Sequence, residues 1–194
     1  MTRQRRKILW TLGLTTVAML AIAVATVKPI RILAPRMFGM VCPTADLCID
    51  DIARLEEAAR LRDDAIAFVE RDLGPLGEAP TFLFCAKREC FARFADPAVA
   101  ALYFWGAGTV LINEHGWEAH ILRHEVIHHW QKENLGGART ALGLPRWYIE
   151  GMAYTLSDDP RAVIPNEQAD GYRSRFRQWI DEGNESRSPP PQMR

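Results

Sequence analysis

The sequence has no excess of either charge and no internal repeat. Its 194 residues include 24 Lys and Arg and 24 Asp and Glu, so the formal net charge at pH 7 is zero. It also has no basic stripe with interleaved aromatic residues, so nucleic acid is not an expected partner. The repeat architectures are excluded as well, and one folded domain is the expectation for a chain of this length. Four cations do cluster at the start, at Arg3, Arg5, Arg6 and Lys7.

A long uncharged run follows these cations. Residues 8–27 contain no charged side chain, and twenty helical residues span about 30 Å, the hydrocarbon thickness of a bilayer. We predict a transmembrane signal-anchor here. The alternative is a cleaved signal peptide with a small-x-small site at 23–25. The positive-inside rule leaves residues 1–7 in the cytoplasm and places the rest on the extracytoplasmic side, which is the periplasm in a bacterium.

Cysteine is scarce. The four cysteines all lie beyond the apolar run, at Cys42, Cys48, Cys85 and Cys90. Neither close pair has the two-residue spacing of a zinc knuckle. An even number of cysteines in an exported segment indicates disulfides. Three pairings are open, and we favour the local ones, Cys42–Cys48 and Cys85–Cys90, because short loops close readily. Free or buried thiols are the alternative.

The rest of the chain divides into three parts. Residues 28–49 contain three prolines and are predicted to be a linker that leads into a disulfide loop. Residues 50–182 carry the periodic apolar patterns of a folded domain. Residues 183–194 are polar and proline-rich, and we predict that they are disordered.

Within the domain, the pattern predicts helices and short strands. A helix capped by Asp50 or Asp51 ends at Gly74-Pro75. Two β-prone runs are predicted to form a hairpin, and a third strand follows them. Three more helices complete the domain, the second of which starts at Pro145 or Arg146. The predicted strands are 81–85, 90–94 and 109–113, and the first and last of the three further helices are 117–135 and 167–181.

Residues 124–128 read H-E-V-I-H and carry the strongest chemical signal. Positions four apart lie on one face of a helix, so His124 and His128 can bind one metal ion. Imidazole suits Zn²⁺. Glu125 is rotated by about 100° from His124, which places its carboxylate beside the metal, where it can act as a general base.

A catalytic zinc needs a third protein ligand. The segment 144–153 supplies Glu150 within an otherwise apolar stretch. A buried carboxylate is costly without a partner, and a metal is such a partner. Gly151 is predicted to let this helix lie close to the first one.

The combination H-E-x-x-H followed by P-x-W-x-x-E-G-x-A resembles the gluzincins, the thermolysin-like superfamily of zinc metallopeptidases, and most of all their small single-domain forms. The resemblance covers about residues 109–157. It implies His124, His128 and Glu150 as zinc ligands and Glu125 as the general base. It also implies hydrolysis of peptide bonds in a peptide or protein substrate by zinc-activated water. The resemblance also implies that the strand at 110–113 forms an edge that aligns an extended substrate.

The chain departs from the family pattern one turn after the ligand glutamate. Thermolysin has an aspartate there that orients a ligand histidine, and small relatives often have a glutamate, whereas this chain has Tyr154. The candidate replacement acids are Asp158 and Asp159. The family also stabilises an oxyanion with a tyrosine or histidine. Tyr154 is predicted to do so here, with Tyr148 and His115 as lesser candidates.

The other histidines are predicted to have no direct part in the site. His129 points about 100° away from His128 and is interpreted as structural. His120 lies one turn before His124 and could sit near the site, but an exposed position is favoured. Trp117, Trp130 and Trp147 are expected in the core.

Together these patterns predict an α+β fold. It is a minimal zincin-like domain with a small, mostly antiparallel sheet packed on helices, behind one N-terminal transmembrane helix. The predicted function is that of a membrane-anchored zinc metallopeptidase. Two alternatives stay open: a membrane-anchored zinc-binding or assembly module that does not cleave, and a zinc amidase that acts on a cell-wall component.

Overall fold

The computed structural model describes Trp10, residues 27–137 and residues 143–190. The predicted cytoplasmic segment 1–7 lies outside these residues. So does the predicted membrane segment 8–27, apart from its residues 10 and 27. Within the described residues, no helix is long and apolar enough to cross a membrane.

A four-stranded mixed sheet forms the centre of the domain. Its strands are β1 (Leu47–Ile49), β2 (Thr81–Phe84), β3 (Ala101–Phe104) and β4 (Thr109–Ile112). They are ordered β1-β2-β4-β3. The pairs β1–β2 and β2–β4 are parallel, and only β3–β4 is antiparallel. The predicted α+β class is confirmed, but the prediction of a mostly antiparallel sheet is wrong, because the chain returns between β1 and β2 through a long helix instead of a tight turn.

The described residues form five α-helices. They are α1 (Leu55–Leu73), α2 (Arg88–Phe91), α3 (Ala119–Asn134), α4 (Arg146–Leu156) and α5 (Glu167–Asp181). Short 3₁₀ helices cover Lys28–Leu33, Pro35–Phe38 and Ile52–Arg54. The predicted start signals are confirmed. The Asp51 carboxylate accepts a hydrogen bond from the Ala53 amide, and α4 begins directly after Pro145.

The predicted hairpin over 81–94 is wrong in its second half. Residues 81–84 form β2, but 88–91 are helical. The buried Cys90, Phe91 and Phe94 are spaced as one helical face, and the Phe91 amide donates to the Lys87 carbonyl. The antiparallel partner of β4 is β3, a strand that we did not predict. Both predicted disulfides, Cys42–Cys48 and Cys85–Cys90, are present.

The sheet buries both of its faces. Phe82 and Phe84 alternate with Leu83, so the two phenylalanines pack among the helices α1, α3 and α4 while Leu83 faces the opposite cluster. That second cluster includes Ile32 and Met40 from the segment predicted to be a linker. The linker prediction for 28–49 is therefore wrong. Burial of side chains such as these contributes about 1.5–3 kcal/mol each.

The start of the polar tail packs on the domain. Of the predicted disordered segment 183–194, the structure describes 183–190. The Tyr148 hydroxyl donates to the Ser186 carbonyl, and the Arg187 guanidinium donates to the carbonyl of Leu73. Composition could not indicate these contacts, because the first uses the backbone carbonyl of Ser186 and the second uses the single side chain of Arg187.

Gly151 sets the closest helix packing of the domain. A Cβ at this position would collide with the Tyr172 carbonyl oxygen and lie 2.7 Å from the Phe176 Cβ. Both contacts belong to α5, so the prediction that Gly151 brings α4 close to the metal-binding helix is wrong. The glycine instead allows close packing of α4 against α5.

Candidate metal centre

Two histidines of α3 converge on one point. His124 and His128 lie one turn apart, and their Nε2 atoms are 3.1 Å from each other. The rings are nearly perpendicular, with centroids 4.8 Å apart. Both residues are buried. The i, i+4 spacing therefore places both nitrogens at one site, as the sequence predicts.

Helix α4 brings Glu150 to the same point. Its Oε2 atom lies 3.6 Å from His124 Nε2 and 3.6 Å from His128 Nε2. These three residues form a group that could hold a metal ion. The circle through the three atoms has a radius of about 2.0 Å, calculated from these distances, and zinc bonds to nitrogen and oxygen measure about 2.0–2.2 Å. The spacing of the three ligand atoms is therefore compatible with a metal ion that binds at such distances.

The electrostatics of the group also favour a cation. Burial alone would raise the pKa of Glu150, but the imidazoles of His124 and His128 hold it well below its usual range. Burial would lower the pKa of His128, and the Glu150 carboxylate outweighs this and raises it. Two imidazole nitrogens that close together repel each other unless a proton or a metal lies between them. A buried site arranged in this way needs positive charge.

Gln131 orients one of the two histidines, and sequence reasoning missed it. Its Oε1 lies 2.8 Å from His128 Nδ1, and its Nε2 donates to the Ile149 carbonyl at 2.9 Å. Because the amide nitrogen donates to that carbonyl, its oxygen must accept from Nδ1–H of His128. This tautomer leaves the lone pair of His128 Nε2 for a metal. Only the i, i+3 spacing could have suggested the contact.

Glu125 lies beside the three ligand atoms and is not one of them. It is buried and lines the same cavity as the ligands. Burial raises its pKa, the two ligand histidines oppose this, and a hydrogen bond with the Tyr103 backbone also opposes it, with a net upward shift. A carboxylate with a raised pKa is better suited to accept and return a proton near neutral pH than an ordinary one.

Among the three oxyanion candidates, Tyr154 alone lies at the site. It lines the cavity, and its ring centroid is 4.3 Å from that of His124. Burial, with the charges of Glu150 and Glu125, raises its pKa, so the hydroxyl remains a donor. Tyr148 is buried elsewhere and donates to Ser186, and His115 is exposed and lies outside the cavity lining.

The two acids suggested as replacements for the missing orienting residue do not contact the ligand histidines. Asp158 pairs with Arg123 at 3.3 Å. Asp159 bonds Arg161 and lies 4.0 Å from His120 Nε2. His120 itself is buried and lines the cavity, so the expectation that it is exposed is wrong. Its burial lowers its pKa and keeps the ring neutral.

His129 has both ring nitrogens engaged by the protein. Its Nε2 lies 2.7 Å from the Glu78 carbonyl oxygen, and its Nδ1 lies 2.9 Å from the Tyr103 hydroxyl. The interpretation of His129 as structural agrees with these contacts. Trp117 and Trp130 are buried as predicted, and Trp147 is only partly buried.

A cavity of about 650 Å³ opens onto the site. Ala101, Leu102 and Tyr103 of β3 form part of its wall. Among the described strands, β3 lies at one edge of the sheet and pairs only with β4. The expectation that 110–113 is the edge next to the site is therefore wrong, because β4 is covered on both sides by β2 and β3.

The resemblance to the gluzincins is carried by the two motifs that contain His124 and Glu150. Comparison with protein-family models, with curated proteins and with solved structures found no match to this chain.

Proposed function

We propose that this protein is a membrane-anchored zinc metallopeptidase whose domain lies on the extracytoplasmic side. The observation that carries the proposal is the convergence of His124, His128 and Glu150 on one point, with Glu125 beside them at the wall of an open cavity. Two histidines and a carboxylate form a known ligand set of catalytic zinc, and three protein ligands leave one position open.

The donor set favours zinc over other biological metals. Two imidazoles and one carboxylate suit zinc better than calcium or magnesium, which prefer oxygen ligands. When bound, zinc would lower the pKa of a coordinated water to about 7 and polarise a carbonyl oxygen. Gln131 supports the assignment, since it presents the unprotonated Nε2 of His128 to the ligand point.

The residues around this point have separate roles in the proposed reaction. Glu125, with its raised pKa, accepts a proton from the attacking water and returns it to the leaving amine. The Tyr154 hydroxyl, which stays protonated, donates a hydrogen bond to the oxygen on which negative charge develops. Burial of Glu125 limits competition from bulk water.

A peptide is the favoured substrate because of the edge strand. Residues of β3 line the cavity, and the outer edge of β3 bears backbone groups that no other described strand pairs with. An extended peptide can add to such an edge by backbone hydrogen bonds. A compact cell-wall amide would make no use of this edge.

The membrane part of the proposal rests on the uncharged run 8–27 and the cations before it. The two disulfides agree with an oxidising compartment, where such bonds persist. Expression of the full chain, followed by membrane extraction and protease accessibility, tests both the anchor and its orientation.

The decisive experiment measures metal and turnover in the same sample. The full chain is purified from an oxidising compartment, its zinc is measured by mass spectrometry, and it is assayed on peptide libraries and cell-wall fragments. We expect about one zinc per chain and cleavage of peptides. Glu125→Gln should keep the zinc and lose at least about 10³-fold in kcat. The control is Glu56→Gln, an exposed glutamate of α1.

Each other result has a defined meaning. Zinc without turnover on any substrate would favour a non-catalytic zinc module, and turnover on cell-wall fragments alone would favour an amidase. No zinc in the folded chain, or full activity in Glu125→Gln, would overturn the proposal.

A further inference from the structure

We propose that the cavity contains a subsite for a substrate carboxylate, formed by Arg161, so that the enzyme prefers peptides with an acidic group near the scissile bond. The inference rests on the proposed function and names its substrate class. Arg161 lines the same cavity as His124 and Glu150 but takes no part in the ligand group.

A buried aspartate holds the Arg161 side chain in place. Arg161 Nε donates to Asp159 Oδ1 at 2.8 Å, and its Nη2 donates to Oδ2 at 2.6 Å. The Arg161 amide also donates to Oδ1 at 3.0 Å. The Asp159 side chain is only 1% exposed. Burial would raise the pKa of Asp159, but its hydrogen bonds with Arg161 and the charge of Arg161 hold that pKa below the usual range. The pair is therefore fixed and charged.

The backbone of Arg161 is fixed as well. Arg173 is 2% exposed, and its guanidinium donates to the carbonyls of Arg161 and Ala162, each at 2.7 Å. It also pairs with Asp170 at 2.8 Å. A nearly buried arginine is uncommon, since arginine is mostly exposed in folded proteins. Here it holds the segment after α4 in one conformation, and the position of Arg161 relative to the cavity follows from it.

One edge of the Arg161 guanidinium stays available. Asp159 engages Nε and Nη2, and no described residue forms a hydrogen bond with Nη1. The side chain is 39% exposed. A guanidinium has five N–H donors in a planar arrangement that matches a carboxylate. Because Asp159 already fixes the guanidinium of Arg161, an anion that binds to the remaining donors costs little further side-chain entropy.

The charges around Arg161 explain why the ligand should be an anion. The other acids of the cavity already have partners or roles: Glu150 with the two histidines, Glu125 as the base and Asp159 with Arg161 itself. Arg161, Glu150 and Tyr154 line one cavity. A peptide bound in this cavity can therefore present a carboxylate to the remaining donors of Arg161.

Binding is tested in the full chain carrying Glu125→Gln, so that turnover does not interfere. Titration calorimetry compares pairs of short peptides that differ only by Glu or Gln, with the exchange made at each position of the peptide in turn. A second set compares free and amidated C-termini, which distinguishes a side-chain carboxylate from a terminal one. In one of these pairs, we expect the acid to bind about tenfold tighter than the amide, as for a hydrogen bond to a charged group.

Substitutions then assign the preference to Arg161. Arg161→Gln should remove the tenfold difference and leave binding of the neutral peptide and the zinc content unchanged, while Arg161→Lys should keep part of it. Asp159→Asn should reduce the preference because Arg161 loses its support. The matched control is Arg175→Gln, which removes the same charge from an exposed position of α5 outside the cavity lining.

The outcomes separate this inference from the proposed function. Equal binding of acid and amide, no binding of either, or a preference that survives Arg161→Gln would each overturn the subsite, even if the wild-type chain holds zinc and cleaves peptides. A preference that depends on Arg161 would support the subsite as a binding site, even if the wild-type chain failed to cleave.

Discussion

His128 and His129 are neighbours in α3 and both are buried, but the protein satisfies them differently. Both ring nitrogens of His129 have protein partners, the Tyr103 hydroxyl and the Glu78 carbonyl. His128 has a protein partner of this kind only at Nδ1, where Gln131 accepts. Its Nε2 faces the Nε2 atom of His124 and the carboxylate of Glu150, and both of these groups also carry lone pairs. One histidine completes a hydrogen-bond network, and the other is left ready for a cation.

The same contrast extends to α4. We use "cavity side" for His124, His128, Glu150 and Tyr154, and "packed side" for His129, Tyr148 and Gly151. Tyr154 lines the cavity, whereas the Tyr148 hydroxyl donates to the Ser186 carbonyl. Residue type therefore does not distinguish the residues of the proposed site from the structural ones. The distinction lies in whether the surrounding protein leaves a polar atom without a full set of partners.

The largest expected difference is between the two neighbouring histidines. His128→Ala should reduce bound zinc from about one to below about a tenth per chain, since two ligands hold zinc weakly. His129→Ala should keep the zinc and lower the free energy of unfolding by about 2–4 kcal/mol, because two buried polar groups lose their partner. Metal analysis and chemical denaturation measure the two effects. The reverse pattern would contradict the division into two sides.

The two tyrosines of α4 should differ in turnover. Tyr154→Phe should lower kcat about 10²-fold with unchanged zinc content, the size of effect seen when an oxyanion donor is removed. Tyr148→Phe should leave kcat unchanged and cost about 1 kcal/mol in stability, since only its hydrogen bond to Ser186 is lost. Steady-state kinetics on a cleaved peptide provide the test. Equal losses of kcat would argue against a role for Tyr154 in the reaction.

Gln131 connects His128 of α3 with the Ile149 carbonyl of α4. The loss of its side chain should weaken zinc binding without abolishing it. Gln131→Leu should lower zinc affinity about 10- to 100-fold, as for other residues that orient a ligand histidine. Competition with a chelator measures the affinity. The control is Asn134→Leu, because Asn134 lies one turn along the helix and its side chain donates to the Trp130 carbonyl. Unchanged affinity in Gln131→Leu would mean that the ring of His128 is held by packing alone.

The smallest expected effect is a change in the free energy of unfolding, and it compares two glycines that lie within helices. Gly151→Ala should cost about 1–3 kcal/mol by overpacking α4 against α5. Gly171→Ala, in the facing helix, meets nothing within 4 Å and should stabilise the protein by up to about 1 kcal/mol. Thermal unfolding of the two variants compares them directly. Two changes of the same sign would show that the α4–α5 contact is looser than described.

The site helices could be predicted well from the sequence because their signals are local. The i, i+4 spacing of His124 and His128 fixes their common face in any α-helix. Pro145 marks the start of α4, as the preference of proline for the first helical position predicts. The disulfides also followed from local spacing. None of these inferences depends on tertiary contacts.

The sheet could not be predicted in the same way. β1 has only three residues, too short for a periodic pattern to stand out. β3 has four residues, as do the predicted strands β2 and β4, so its length alone does not explain why it was missed. Whether a short strand pairs in parallel depends on the path of the chain between strands, which no single segment specifies. The helical turn at Cys90 was mistaken for a strand because aromatic residues such as Phe91 and Phe94 are enriched in strands. Gln131 and Arg161 belong to no motif, and only tertiary contacts identify them.

The positions of the two disulfides affect how different parts of the molecule unfold. Both bonds close loops within residues 42–90, and the sequence has no cysteine after them. The proposed zinc would link α3 to α4 and so act as the cross-link of the other half. A reductant and a chelator should then loosen different halves of one protein: the first should expose amides around β1 and β2 to hydrogen exchange, and the second those of α4 and α5.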